Sequence, residues 1–119
     1  MAVDNARTSF QRGVMSLVVM SLLRREDMYG YQLVHEISHL SGGNIVTQLG
    51  SLYPVLYKLQ DQRLISERKE LVGKRMTRVY YHLEKAGEER LQELIEDYKN
   101  VAKGVFQIIQ EGEKDNDKG

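Results

Sequence analysis

Residues 47–59 read TQLGSLYPVLYKL. Leu49, Leu52, Leu56 and Leu59 recur at intervals of three, four and three, which lines one face of an α-helix. Those leucines turn inward, because left in water each forfeits roughly 1.5–3 kcal/mol. The opposite face presents Gln48, Ser51, Val55 and Lys58, with Tyr53 and Tyr57 at the border, where a ring packs while its hydroxyl points outward. The spacing predicts a helix over residues 48–62 with Thr47 as its N-cap. Pro54 conflicts with that span, since an interior proline removes a backbone donor and crowds the carbonyl one turn back. Two readings follow: the helix begins near Ser51, or it bends at the proline.

Upstream, Leu33, Val34, Ile37 and Leu40 form a second helical stripe over residues 29–41, closed by Gly42-Gly43 as a C-cap. Residues 26–29 are read as a turn. Before it, Phe10, Val14, Leu17, Val18 and Leu22 line one face of a first helix over residues 9–25, with Thr8 and Ser9 as candidate N-caps and Arg24-Arg25 placed where cations favour a helix C-terminus. Residues 1–8 are expected to be a disordered start.

Downstream the period changes. Residues 64–71 and 77–83 are short, β-branched and aromatic, and are joined by a basic loop at 72–76 in which Gly73 supplies the positive φ of a hairpin bend. Residues 63–78 hold six basic side chains (Arg63, Arg68, Lys69, Lys74, Arg75, Arg78) and two acidic ones. From residue 85 to 111 the chain reads as one helix of ~40 Å at 1.5 Å per residue. Leu91, Leu94, Tyr98, Val101, Val105 and Ile108 alternate at three and four, a heptad seam widened by Ile95, Ala102 and Ile109 and interrupted by Gly104. Residues 112–119 are expected to be a flexible tail.

The chain has 119 residues, and its 17 Lys+Arg match its 17 Asp+Glu. The balance hides an asymmetry: residues 1–83 carry 11 basic and 7 acidic groups, residues 84–119 carry 6 and 10. A basic front suits an anionic partner. The absence of cysteine excludes disulfides, thiolate metal sites and a cysteine nucleophile, and fits a reducing, cytoplasmic setting. The longest mainly apolar stretch, residues 14–23, is too short to span a bilayer, and Asp4 and Arg7 break any signal-peptide layout at the start.

Three helices, a hairpin with a basic tip and a final helix is the order of a winged helix. The expected fold is therefore mainly α with a small β-hairpin: a winged helix-turn-helix over residues 9–83 and a long C-terminal dimerisation helix over residues 84–111. Gln48 is suited to a base edge, Ser51 to a base or phosphate and Lys58 to a phosphate. The hairpin basics Lys74, Arg75 and Arg78 suit a phosphate backbone or a minor groove. The long seam marks a homodimer interface, and a twofold pair sets two reading helices one turn of DNA apart, or a multiple of it, on a palindromic operator.

The same residues carry a resemblance. Tyr29-Gly30-Tyr31-Gln32-Leu33, Gly50-Ser51-Leu52-Tyr53-Pro54-Val55-Leu56-Tyr57-Lys58-Leu59 and Arg78-Val79-Tyr80-Tyr81-His82-Leu83-Glu84-Lys85-Ala86-Gly87 make residues 12–109 resemble the PadR-type transcriptional regulators, specifically the short members with a single C-terminal helix. In such a family Pro54 is ordinary. The resemblance implies a dimeric winged-helix repressor of double-stranded DNA that lets go on a small-molecule or stress signal. It adds Tyr31, Thr47, Gly50 and Tyr53 as DNA-proximal residues beside Ser51 and the wing basics. It also implies a ligand cavity at a central aromatic of the last helix. Here that residue is Tyr98, with Val101, Val105 and Phe106 beside it and Phe10, Val14 and Met15 opposite. The chain departs from the family in having no tryptophan and no proline in the wing. Whether Tyr98 faces a ligand or forms dimer core stays open.

Other chemistry finds little purchase. His35 and His39 have the i, i+4 spacing of two metal ligands but no evident third, although Glu36 and His82 are present. The acidic residues of the last helix, such as Glu89, Glu93 and Glu96, lie at ordinary surface spacing, and the wing's Gly-Lys-Arg lacks the glycine spacing of a phosphate loop. No catalytic residue, metal, cofactor or membrane contact is expected. The alternative to a DNA-binding regulator is a winged helix used as a protein-interaction module.

Overall fold

In the computed structural model, which describes residues 6–117 and side chains through residue 114, the leucine-rich helix runs Leu49–Asp61. It does not wait for Ser51, and Thr47 is not its N-cap. Gln48 is the N-cap, and its carbonyl accepts from both Ser51 N–H and Leu52 N–H at 3.0 Å. Pro54 lies inside the helix. The donor it removes would have met the carbonyl of Gly50, an exposed residue whose oxygen water can satisfy. The inward leucines behave as their spacing predicts: Leu52, Leu56 and Leu59 are buried, and Leu49 packs against the core.

The full order is α1 (Ala6–Arg25), β1 (Met28–Tyr29), α2 (Gly30–Leu40), α3 (Leu49–Asp61), β2 (Ile65–Val72), β3 (Met76–Leu83) and α4 (Lys85–Asp117). Three boundaries differ from the sequence reading by more than one residue. Helix α1 already includes residues 6–8, while residues 1–5 of the expected disordered start lie outside the described residues. Helix α4 continues through residues 112–117 instead of ending at 111, with Lys114 reaching back to Glu111 at 3.3 Å; residues 118–119 lie outside the description. The turn expected at residues 26–29 ends in a strand. Met28 and Tyr29 pair antiparallel with Tyr81 and Tyr80, making a three-stranded sheet of order β1-β3-β2. Two residues are too short for a periodic signal, and only the tyrosines of β3 across the ladder define them as a strand.

The hairpin register runs from Ile65↔Leu83 to Val72↔Met76, with Gly73 at φ +70° turning the chain as expected. The end of α3 holds Arg63 in the left-handed region, at φ +60°. There Leu64 N–H donates to Leu59 O and Arg63 N–H to Gln60 O, a Schellman closure built without glycine.

Met15, Val19, Met20, Leu22 and Leu23 of α1 meet Leu33, Ile37, the α3 leucines, Ile65, Tyr81 and Leu91 in one core. The buried side of α1 matches the predicted stripe only at Leu22: Phe10 is exposed, and Val14, Leu17 and Val18 are half-buried. Helix α1 is apolar on two sides, one toward the core and one toward α4. The root of α4 is fixed by close approach at Gly87, where an added Cβ would stand 2.1 Å from the Leu64 carbonyl oxygen. Leu91 and Leu94 face this core. Leu91 is 0% exposed, so the first position of the expected dimer seam belongs to the chain's own interior, and the second, Leu94, is half-buried against it. Among the described residues, no helix is long and apolar enough to cross a membrane.

Candidate nucleic-acid interface

Helix α3 is the hub of the candidate site. Its buried leucines fix its roll, so Gln48, Gly50, Ser51, Tyr57 and Lys58 are exposed and Thr47 and Tyr53 half-exposed. Val55, expected on the outer face, is half-buried against the core instead. Thr47 does not cap the helix: its hydroxyl donates to the Gln48 carbonyl at 3.4 Å. At Gly50 an added Cβ would meet nothing of its own chain within 4 Å.

Two grooves flank the helix. One, of about 430 Å³, is bounded by Tyr29, Gly30 and Tyr31, by Tyr53 of α3, and by Met76, Thr77, Arg78 and Val79 of the wing. It brings together three sequence-predicted residues, Tyr31, Tyr53 and Arg78, from three separate elements. Gly30 allows the approach, since a Cβ there would stand 2.8 Å from a methyl carbon of Leu49. The other groove, of about 520 Å³, collects Thr47, Gln48 and Ser51 with Thr8, Gln11, Arg12 and Met15 of α1. Lys58, Lys74 and Arg75 line neither groove but are exposed.

The six basic groups of residues 63–78 are not equivalent. Arg68 pairs with Asp27 and with Glu70 (3.0 Å), and its guanidinium lies 5.0 Å from the Tyr80 ring centre. It ties β2 to the chain entering β1 and leaves its charge largely matched. Arg78 instead stacks on Tyr29 at 4.3 Å, a cation–π contact that neutralises nothing. The Tyr29 ring is steadied in turn by an edge contact with Tyr80 at 5.5 Å.

Asp27 also lies 2.7 Å from His82 Nδ1. Partial burial works against its charge, but the hydrogen bonds to His82 and Arg68 outweigh that, and its carboxyl is held below the usual carboxylate range. Burial pushes the Tyr81 hydroxyl up to about 12, so it stays neutral beneath the sheet. Sequence reading missed this Asp27–Arg68–His82 cluster, since its members lie 41 and 55 positions from Asp27 and only the sheet joins them.

A second region gathers the candidate effector residues. A cavity of about 650 Å³ between α1 and α4 is lined by Phe10, Gln11, Val14, Ile45, Tyr98, Val101, Ala102, Val105 and Phe106, among others. Met15, expected there, is buried in the core and reaches the α3 groove instead. His35 and His39 stack with ring centres 5.8 Å apart. Among the described residues no group of three or more His, Asp or Glu is placed to hold a metal ion.

The fold and its motifs match a known family. Residues 19–93 match the transcriptional regulator PadR-like family. The chain belongs to that family. Among its relatives, the transcriptional regulator YqjI of Escherichia coli K12 is 41% identical over 66 residues, which cover 56% of this chain and 32% of that protein. The chain thus spans about a third of that relative's length. A PadR family transcriptional regulator from Eggerthella lenta superposes with a TM-score of 0.75 at 28% identity, covering 85% of this chain and 86% of that one. Bacillus subtilis PadR, solved in complex with operator DNA, shares the fold with a TM-score of 0.65 at 24% identity over 69% of this chain and 46% of its own.

Proposed function

We propose that this PadR-like chain is a dimeric, sequence-specific DNA-binding repressor that reads a palindromic operator on double-stranded DNA and releases it on a small-molecule or stress signal. The observation that carries this reading is the exposed face of α3 set between two grooves, with the basic wing beside it. Gln48 is the base-reading residue and Ser51 a base or phosphate contact. Tyr31, Thr47 and Tyr53 flank the DNA, and Lys58, Lys74, Arg75 and Arg78 meet phosphates. Gly50 fits the reading because nothing in its own chain requires the missing side chain, whereas a close-lying duplex would. The fold likeness to a PadR bound to operator DNA adds to it.

Dimerisation is supported by the outer part of α4. At about 1.5 Å per residue its 33 residues extend about 50 Å, well past the core. Tyr98, Val101, Val105, Phe106, Ile108 and Ile109 are all exposed there, as is Phe10 of α1. A second copy packed on this surface covers them. The seam proposed for it is Tyr98, Val101, Val105 and Ile108. Tyr98, Val14 and Phe106 also border the α1–α4 cavity, the proposed place for an apolar effector.

The test is selection of bound sequences from a random duplex pool, followed by salt titration on the selected site. The reading expects a two-half-site palindrome, and log affinity falling with log salt by roughly 0.9 per phosphate met. The double change Lys74→Ala with Arg75→Ala lowers that slope by close to two phosphates' worth and weakens all sequences evenly. A flat salt response with no selected sequence favours the protein-interaction alternative.

A further inference from the structure

The turn at residues 41–48 delivers the first residues of α3, and its two halves are held differently. The first half is tied within itself: Ser41 Oγ accepts from Ile45 N–H at 3.0 Å. The second half is held from α1. Gln11 Nε2 donates to the Val46 carbonyl at 3.1 Å, and Gln11 Oε1 accepts from Val46 N–H at 3.1 Å. One side-chain amide thus meets both polar groups of one backbone unit, as a neighbouring strand would. The Val46 side chain is 58% exposed, so apolar burial does little to hold this point and the amide pair does most of it. Gln11 also borders two spaces at once: the groove with Thr47, Gln48 and Ser51, and the cavity with Val14, Tyr98 and Ala102.

We propose that Gln11 is a positioning residue that sets where Thr47 and Gln48 stand for DNA contact, and that through it the packing of the α1–α4 cavity reaches the entrance of α3. The proposal rests on the DNA-binding reading above. The physical route is short. Phe10, Gln11 and Val14 belong to one turn of a stiff helix, so material wedged against Val14 moves Gln11 with it. Hydrogen bonds already at 3.1 Å lose their geometry within a few tenths of an ångström. Freed from Gln11, Val46 finds water, so the fold survives while the position of Thr47 and Gln48 broadens.

Backbone amide exchange on the free, full chain tests the link without DNA. Gln11→Ala is expected to raise exchange at Val46 about tenfold with little change in Tm. Ala102→Leu, or Val101→Phe should the first misfold, is expected to raise it in the natural background and to add nothing in the Gln11→Ala background. With DNA, Gln11→Ala is expected to lower the ratio of selected-site to random-site affinity about tenfold and to leave random-site binding and its salt slope unchanged. Undiminished protection at Val46 in Gln11→Ala overturns the proposal, as does a cavity variant that acts equally with and without Gln11. A natural chain that selects no sequence at all, with the exchange pattern as expected, overturns the DNA reading and leaves the clamp established.

Discussion

Leu91 and Ile108 sit on the same apolar seam of one helix, yet Leu91 is 0% exposed and Ile108 75%. The near part of α4 is pinned by Gly87 against the Leu64 carbonyl and by Arg24 of α1, which bonds Gln92 at 3.1 Å and Glu88 at 3.3 Å. There the seam closes the chain's own core through Leu91, Leu94 and Ile95. Past Ile95 the seam leaves the closed core, borders the open α1–α4 cavity as far as Phe106, and stands exposed. A heptad repeat therefore records that a face is to be covered and is silent on which chain covers it. The two parts differ in neither periodicity nor composition enough to betray the change.

Substitutions on the two parts should separate cleanly. The largest expected effect is Leu91→Ala, a cavity in the core worth about 2–5 kcal/mol, read by urea unfolding. If the loss were under 1 kcal/mol, Leu91 would not belong to the intrachain core. On the outer part, Val101→Asp combined with Ile108→Asp should leave helix content by circular dichroism unchanged. It should convert a sedimenting dimer to single chains at micromolar concentration and cut affinity for a two-half-site operator on the order of 100-fold, because the second half-site is no longer tethered. A dimer that survives both aspartates would place the interface elsewhere.

Two smaller predictions concern the joints that hold the near region. Arg63→Gly, at φ +60°, should raise stability by about 1 kcal/mol, since the left-handed penalty of a residue with a Cβ disappears; an unchanged urea midpoint would deny the strain. Asp27→Asn should cost about 0.5 kcal/mol at neutral pH, the scale of a surface pair. Its sign with pH is fixed by the depressed carboxyl. The stability that Asp27 contributes is fully present above its ordinary value of 3.8 and is lost as pH falls through its lower folded value. The natural chain should therefore lose more stability than Asp27→Asn between pH 5 and pH 3. Parallel urea midpoints over that range would break the assignment.

The candidate site was legible where it depended on local pattern. Gln48, Ser51 and Lys58 followed from the leucine period of α3, and Lys74 and Arg75 from the hairpin bend at Gly73. It was illegible where it depended on pairing at a distance. Nothing near Arg68 in sequence marks it as bound to Asp27, 41 positions away. Val55 looked exposed because a helical wheel cannot show how wide the covering surface is. Gln11 reads as an unremarkable polar residue of α1 until Val46, 35 positions away, is laid against it.

By itself the amino-acid sequence determined the four helices, the hairpin, the apolar face of α3 and the existence of a long seam, because each is written in spacings of a few residues that obey one local period. Only the tertiary structure decided that Met28-Tyr29 is a strand, that α1 is apolar on two sides, that Arg68 is matched while Arg78 stacks on a ring, and where along α4 the core stops. Those outcomes rest on which surfaces remain uncovered once distant segments have packed, and a one-dimensional pattern holds no measure of that.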